Sequence, residues 1–184
     1  MNYTLALFTF MCYICCAKLE NRTTRQTEFV SPVLQTHHRR GPHWFDFKGK
    51  TYFVNTVFKT NFYRSWQYCR LQGMNLVSIE SEEENKQLQK FISDKGFKYG
   101  SYWTSGTNLV GEDQWIWMST GRELTYTNWL PGEPSKQNVK GTVENCIDIL
   151  VYAGFKWNDQ NCEVVQNFIC ESTKDCQFCS NNSK

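Results

Sequence analysis

The chain has 184 residues, with 20 Lys and Arg against 18 Asp and Glu, and 40% of it is hydrophobic. That length suits one ordinary domain with extensions, and the composition supports a packed core, which excludes a wholly disordered chain. A formal net charge of +2 is too small to mark a nucleic-acid partner or an acidic membrane surface.

Residues 1–17 carry no charged side chain and are mostly apolar from Leu5 to Cys16. Cys15-Cys16-Ala17 then offers small residues before Lys18. This pattern predicts a signal peptide and a secreted, extracellular protein. The apolar run is too short for a membrane span, which needs about 20 residues, and no later segment is apolar for long enough. Of nine cysteines, Cys12, Cys15 and Cys16 lie in that segment. The six that follow are an even number, as an oxidising compartment favours.

Residues 18–43 are polar and aperiodic, with Pro32 and Pro42, and read as a flexible leader. His37-His38-Arg39-Arg40 within it is a solvated run or a processing site. Asn21-Arg22-Thr23 and, in the tail, Asn181-Asn182-Ser183 are glycosylation sequons. The folded body starts near Trp44. Lys50–Val57 has strand composition. Asn61 is placed to cap a helix running to about Leu71, with Gly73 beyond its end. Leu76–Ile79 reads as a short strand. Ser81 with Glu84 forms a capping-box pattern opening a second helix, whose apolar stripe is Leu88, Phe91 and Ile92 and which Gly96 closes.

Beyond Gly96 the predicted elements are short strands at Tyr102-Trp103, Trp115–Trp117, Cys146–Val151 and Phe168–Cys170. Between Ser119 and Asn145 there is little regular pattern, and a loop of that length in a small domain points to function. The irregular half holds Glu133-Pro134-Ser135, Glu144-Asn145-Cys146 and Trp157-Asn158-Asp159. Three carboxylates and two amides, read here as lying on loops, suit a hard cation such as Ca2+, which takes oxygen ligands at flexible geometry. Zinc would need His or Cys, and the histidines (His37, His38, His43) fall in the leader. Solvated loop acids are the alternative reading of the same spacing.

These residues resemble the C-type lectin-like domain from about Trp44 to Glu171. The resemblance is carried by the two N-terminal helices with Cys69, Tyr102–Gly106, Trp115-Ile116-Trp117 and Leu124–Trp129. It continues through the Glu-Pro-Ser, Glu-Asn-Cys and Trp-Asn-Asp elements, Cys162 and Phe168–Glu171. The chain is most similar to small, secreted, single-domain lectins such as those of insects. The resemblance implies an α+β fold of two helices, short antiparallel sheets and a long irregular calcium- and sugar-binding loop region over 44–171, followed by a tail over 172–184. It implies disulfides Cys69–Cys170 and Cys146–Cys162, worth about 4–5 and about 3 kcal/mol on the chain-entropy model.

By the same resemblance Ca2+ is held by Glu133, Ser135, Glu144, Asn158 and Asp159, and Pro134 follows a cis bond. Glu133, Ser135, Glu144 and Asn158 meet the hydroxyls of the sugar. The expected activity is calcium-dependent binding of glycans on microbial or cell surfaces, with the mannose/fucose-type preference that an acid-first triplet implies. Ser135 departs from the Asn of that pattern, and a longer segment than usual precedes Glu144. The alternative is a calcium-independent module of the same fold that binds proteins or surfaces. Asn108 and Glu112 fall where a second calcium site occurs in relatives, but Lys136 there opposes a cation, so no second ion is expected. Trp103, Trp115, Trp129 and Trp157 are read as core, with Trp117 unassigned. Cys176 and Cys179 follow no strand and start no helix, so they read as a local or intermolecular disulfide, the latter a route to an oligomer. No nucleophile–base pair or phosphate loop stands out, so no enzyme is expected.

Overall fold

The computed structural model describes residues 41–97, 100–111 and 114–173, with backbone alone at Thr173. The predicted signal peptide and nearly all of the leader lie outside the described residues. So do both sequons (Asn21, Asn181), Glu112, and Cys176 with Cys179.

Trp44–Phe47 (β1) and Lys50–Thr60 (β2) form a hairpin in register from Trp44↔Phe53 to Phe47↔Lys50. Helix α1 spans Phe62–Leu71, and the Asn61 side chain accepts the Arg64 N–H at 3.0 Å, the capping role its sequence position predicts. After β3 (Asn75–Leu76), helix α2 runs Glu82–Asp94 behind the N-cap Ser81, whose hydroxyl accepts the Glu84 N–H. The return arm of the capping box is redirected: Glu84 Oε2 accepts from the N–H of Glu80. Its Oε1 is held by the Tyr52 hydroxyl and the Lys50 ammonium. Leu88 and Ile92 are fully buried, while Phe91 is half-buried and stacks on Phe45.

The strand expected at Leu76–Ile79 stops at Leu76. Ser78 gives its N–H to the Glu171 carboxylate rather than to a strand backbone, which ends the ladder. The remaining strands are Ser101–Thr107 (β4), Ile116–Trp117 (β5), Arg122–Glu123 (β6), Cys146–Leu150 (β7), Lys156–Gln160 (β8) and Gln166–Thr173 (β9). They join as β1-β2-β9-β4-β5-β6, with β3 on β9 and β7 between β4 and β8. Strands β4 and β9 are parallel, and the other pairs are antiparallel.

The reading that places Trp157-Asn158-Asp159 on a loop is corrected. These residues are the middle of β8, paired with β7 in unbroken register from Cys146↔Gln160 to Leu150↔Lys156. The segment Lys156–Gln160 has no apolar alternation because its inward face consists of Trp157 and the carboxylate Asp159. Hydrophobic periodicity therefore had nothing to detect.

Two clusters make the core. One gathers Val54, Ile79, Leu88, Ile92, Trp117, Ile147 and Trp157. The other surrounds the disulfides Cys69–Cys170 and Cys146–Cys162 with Phe62, Leu76, Trp103 and Phe168. Strand β4 lies tightly on β7, and a Cβ at Gly106 would stand 2.8 Å from Ile147 Cβ, so only glycine fits. Trp117, unassigned from sequence, is buried against Trp157. Trp115 and Trp129 pack against this core, as the core reading expects, but are only partly buried and also line an open cleft.

Candidate functional site

The site forms where the irregular segment before β7 meets the buried face of β8. The β7–β8 pairing sets Ile147 opposite Asp159 and Asp148 opposite Asn158. The Cys146–Cys162 bond ties the start of β7 to the turn just after β8. Glu144 and Asp159 thus sit at the two ends of a short, cross-linked loop.

Asp159 is fully buried and organises the Glu-Pro-Ser segment. Its Oδ1 accepts the Ser135 N–H at 2.9 Å, and its Oδ2 accepts the Lys136 N–H at 2.6 Å. The Ser135 N–H also reaches Glu133 Oε2 at 2.8 Å, and the Ser135 hydroxyl donates to Glu144 Oε2 at 3.4 Å. The Glu144 N–H donates to the Lys136 carbonyl at 2.9 Å, which closes the segment on itself. The Glu133–Pro134 bond is cis, as the resemblance implies, and Lys136 has φ of 65°.

Glu133, Ser135, Glu144 and Asp159 are therefore brought together. Asn158 joins them through its Nδ2, which donates to the Asp159 carbonyl, and it also donates at 3.1 Å to Asp148. Asp148 was missed by sequence reasoning. It is almost wholly buried in β7, and burial pushes its carboxyl up to about 6, against hydrogen bonds from Gln166, Asn158 and Ser101 that lower it. Its signal was a lone acid inside the otherwise apolar Cys146–Leu150 strand.

The site's electrostatics follow from acids held close in partial burial. The Glu133 carboxyl is raised, first by burial and then by contact with Asp159, against the opposing pull of Ser135. Glu144 is raised by burial, then by Asp159, with Glu133 adding to the effect. Opposite charge would relieve this mutual repulsion. The donor set is all oxygen and amide, with no imidazole or thiolate, so in its chemistry it fits a hard cation. Among the described residues, however, no three Asp, Glu, His or Cys side chains are grouped to hold a metal ion. The fit is one of donor type, with Asp159 engaged by backbone N–H groups on both oxygens.

Beside the site, a cavity of about 480 Å³ is lined by Asn108, Lys136, Gln137, Val143 and Asn145. Asn108, one of the two residues that the resemblance sets at a second calcium site, is part of this lining, and Lys136 brings a positive charge to it. Asn108 Oδ1 is buried there with no hydrogen-bond partner among the described residues.

A family model described as the lectin C-type domain matches residues 58–172. The chain belongs to the C-type lectin domain family. Among its relatives is "C-type lectin mosGCTL-7" of Aedes aegypti, 30% identical over 125 residues that cover 66% of this chain and 83% of the relative. Among solved structures, the human scavenger receptor C-type lectin carbohydrate-recognition domain aligns with a TM-score of 0.63 at 33% identity, over 72% of this chain and 98% of that one. The cow carbohydrate-recognition domain of CD23, solved in the presence of a GlcNAc2Man3 oligosaccharide, aligns with a TM-score of 0.61 at 30% identity, over 73% and 95% of the two chains. Lectin-family membership agrees with the two helices, the mixed sheet and the paired cysteines described above. No described helix is long and apolar enough to cross a membrane.

Proposed function

We propose that this C-type lectin domain binds glycans through Ca2+ at Glu133, Ser135, Glu144, Asn158 and Asp159, with a mannose/fucose-type preference. The carrying observation is that Ser135 ties three acids together: its N–H reaches buried Asp159 at 2.9 Å and Glu133 at 2.8 Å, and its hydroxyl reaches Glu144 at 3.4 Å. Glu133, Ser135, Glu144, Asn158 and Asp159 would hold the ion, which would supply a Lewis-acidic point for sugar hydroxyls. The protein's own part is to read those hydroxyls: Glu133 and Glu144 accept their protons, while the Asn158 amide and the Ser135 hydroxyl donate. Few atoms are buried in such an exposed site, so single-site affinity is weak and display on several copies raises it. The same reading places the protein outside the cell, glycosylated at Asn21 and Asn181, with the Cys176/Cys179 tail able to join copies and microbial or host surfaces as targets.

Retention on mannose-agarose in calcium, with release by EDTA, is the expected result. Retention indifferent to EDTA, or none, overturns it.

A second reading is a calcium-independent protein- or surface-binding module. It is favoured by the engagement of both Asp159 oxygens with backbone N–H groups and by the short Ser135 side chain. Calorimetric titration separates the two readings. Heat of calcium binding that disappears in Asp159→Asn supports the lectin reading, whereas no calcium heat supports the module.

A further inference from the structure

We infer that the chain carries a second carbohydrate-binding cleft, independent of calcium, which takes neutral gluco-oligosaccharides by stacking a pyranose ring on Trp115 or Trp129. An open cavity of about 630 Å³ is lined by Trp115, Trp129, Leu124, Thr127, Gln114 and Glu123. Its volume is that of small-ligand pockets, roughly 300–1,000 Å³.

The two indoles stand 5.2 Å apart at 62°, so they form a corner rather than a sandwich. Trp103, Trp117 and Trp157 are fully buried, while Trp115 and Trp129 are only partly buried and line the cavity. Trp103 and Trp157 donate their indole N–H to backbone carbonyls and to Asn85, respectively. Trp115 and Trp129 have no such acceptor among the described residues, which leaves two ring donors for a ligand. At the rim the Gln114 amide donates to the Glu123 carboxylate, holding an amide and an acid side by side on the surface.

The walls are stiff. The Leu124 N–H is bonded to the Trp115 carbonyl, and Trp129 bridges to Trp157 in β8. A binding corner built on paired backbone is preorganised.

These features match one ligand chemistry. A glucopyranose with equatorial hydroxyls presents flat C–H faces for an indole and a ring of hydroxyls at its edge. Gln114, Glu123 and Thr127 supply the amide, acid and hydroxyl partners for that edge. Glu123 disfavours acidic sugars by charge repulsion. A compact quaternary ammonium would use the rings and Glu123 but leave Gln114 and Thr127 without a role.

The test is a titration of the ¹⁵N-labelled full chain with cellotriose in EDTA, where the primary site's ion is removed and its success or failure has no bearing. The Trp115 and Trp129 indole resonances are assigned from Trp115→Phe and Trp129→Phe. Saturable shifts of these two signals are expected. Glu123→Ala and Gln114→Ala, both at exposed positions, should each weaken binding by about fivefold or more, the size of a lost hydrogen bond, with the amide spectrum otherwise retained. No shift in EDTA, wild-type affinity in both rim variants, or a response to choline in place of cellotriose overturns the inference.

Discussion

Position 135 is where a single side chain decides most. The Ser135 backbone N–H is already committed to Glu133 and Asp159, so the side chain alone remains to reach a ligand, and its hydroxyl lies a long 3.4 Å from Glu144. An Asn there adds reach, a carbonyl acceptor and an N–H donor. Ser135→Asn is expected to tighten calcium-dependent mannose binding about fivefold, the equivalent of one added hydrogen bond of about 1 kcal/mol. Calorimetry with methyl mannoside measures it, and unchanged affinity would show that position 135 does not meet the sugar. The departure at 135 was legible in the sequence because it sits inside a contiguous triplet. The role of Asp148 was not, because a carboxylate alone in a strand does not reveal that Asn158 stands opposite it.

Among elements, the β7–β8 hairpin does the most to shape the site. Its ladder places Asp159 inside and Asn158 across from Asp148, and the Cys146–Cys162 bond closes a loop with sequence separation 16. On the chain-entropy model a loop of that size contributes about 3 kcal/mol by restricting the unfolded chain. The double variant Cys146→Ala with Cys162→Ala is expected to lose about that much in urea unfolding. It should also bind calcium more weakly, because Glu144 and Asp159 would no longer be held at fixed spacing. Full calcium affinity in a destabilised variant would show that the cross-link serves the fold alone. The helices were legible nearly to the residue, since their caps at Asn61 and Ser81 act within three positions of the chain. Strand β8 was not, because its buried face is half carboxylate.

For the molecule as a whole, a charge cluster joins the first long strand, α2 and the last strand. The Lys50 ammonium lies 2.9 Å from both Glu84 and Glu171, the Tyr52 hydroxyl donates to Glu84, and the Ser78 N–H donates to Glu171. Burial pushes the Glu171 carboxyl up to about 7, with Lys50 pulling it down and Glu84 pushing it up. A carboxyl raised on folding holds its proton more tightly in the native state. Its contribution is therefore complete below its unfolded value of 4.5 and is lost as pH rises through about 7. Asp148, raised from 3.8 to about 6, acts in the same direction. Without calcium, stability is expected to fall between about pH 4.5 and 7 by an amount on the order of 4–5 kcal/mol from the two groups together, the larger part from Glu171. Urea midpoints across that range measure the fall, and Glu171→Gln should remove more than half of it. A wild-type profile that rises over the window would contradict the assignment.

The sequence by itself determined the two helix starts and the order of the acid and amide motifs, while the cysteine pairing came only through the family resemblance and is seen in the structure as Cys69–Cys170 and Cys146–Cys162. The helix and motif signals act over a few residues, whereas six cysteines by themselves leave fifteen pairings open. Tertiary structure alone decided that Asn158 and Asp159 lie on a paired strand, that Glu84 turns from its cap toward Lys50 and Tyr52, and that Trp115 and Trp129 stay open while Trp103, Trp117 and Trp157 are buried. Burial and cross-strand partnership depend on what packs opposite a residue. That information is spread over the whole chain, as the near-neutral charge of +2 shows, since it conceals the acids gathered around Asp159.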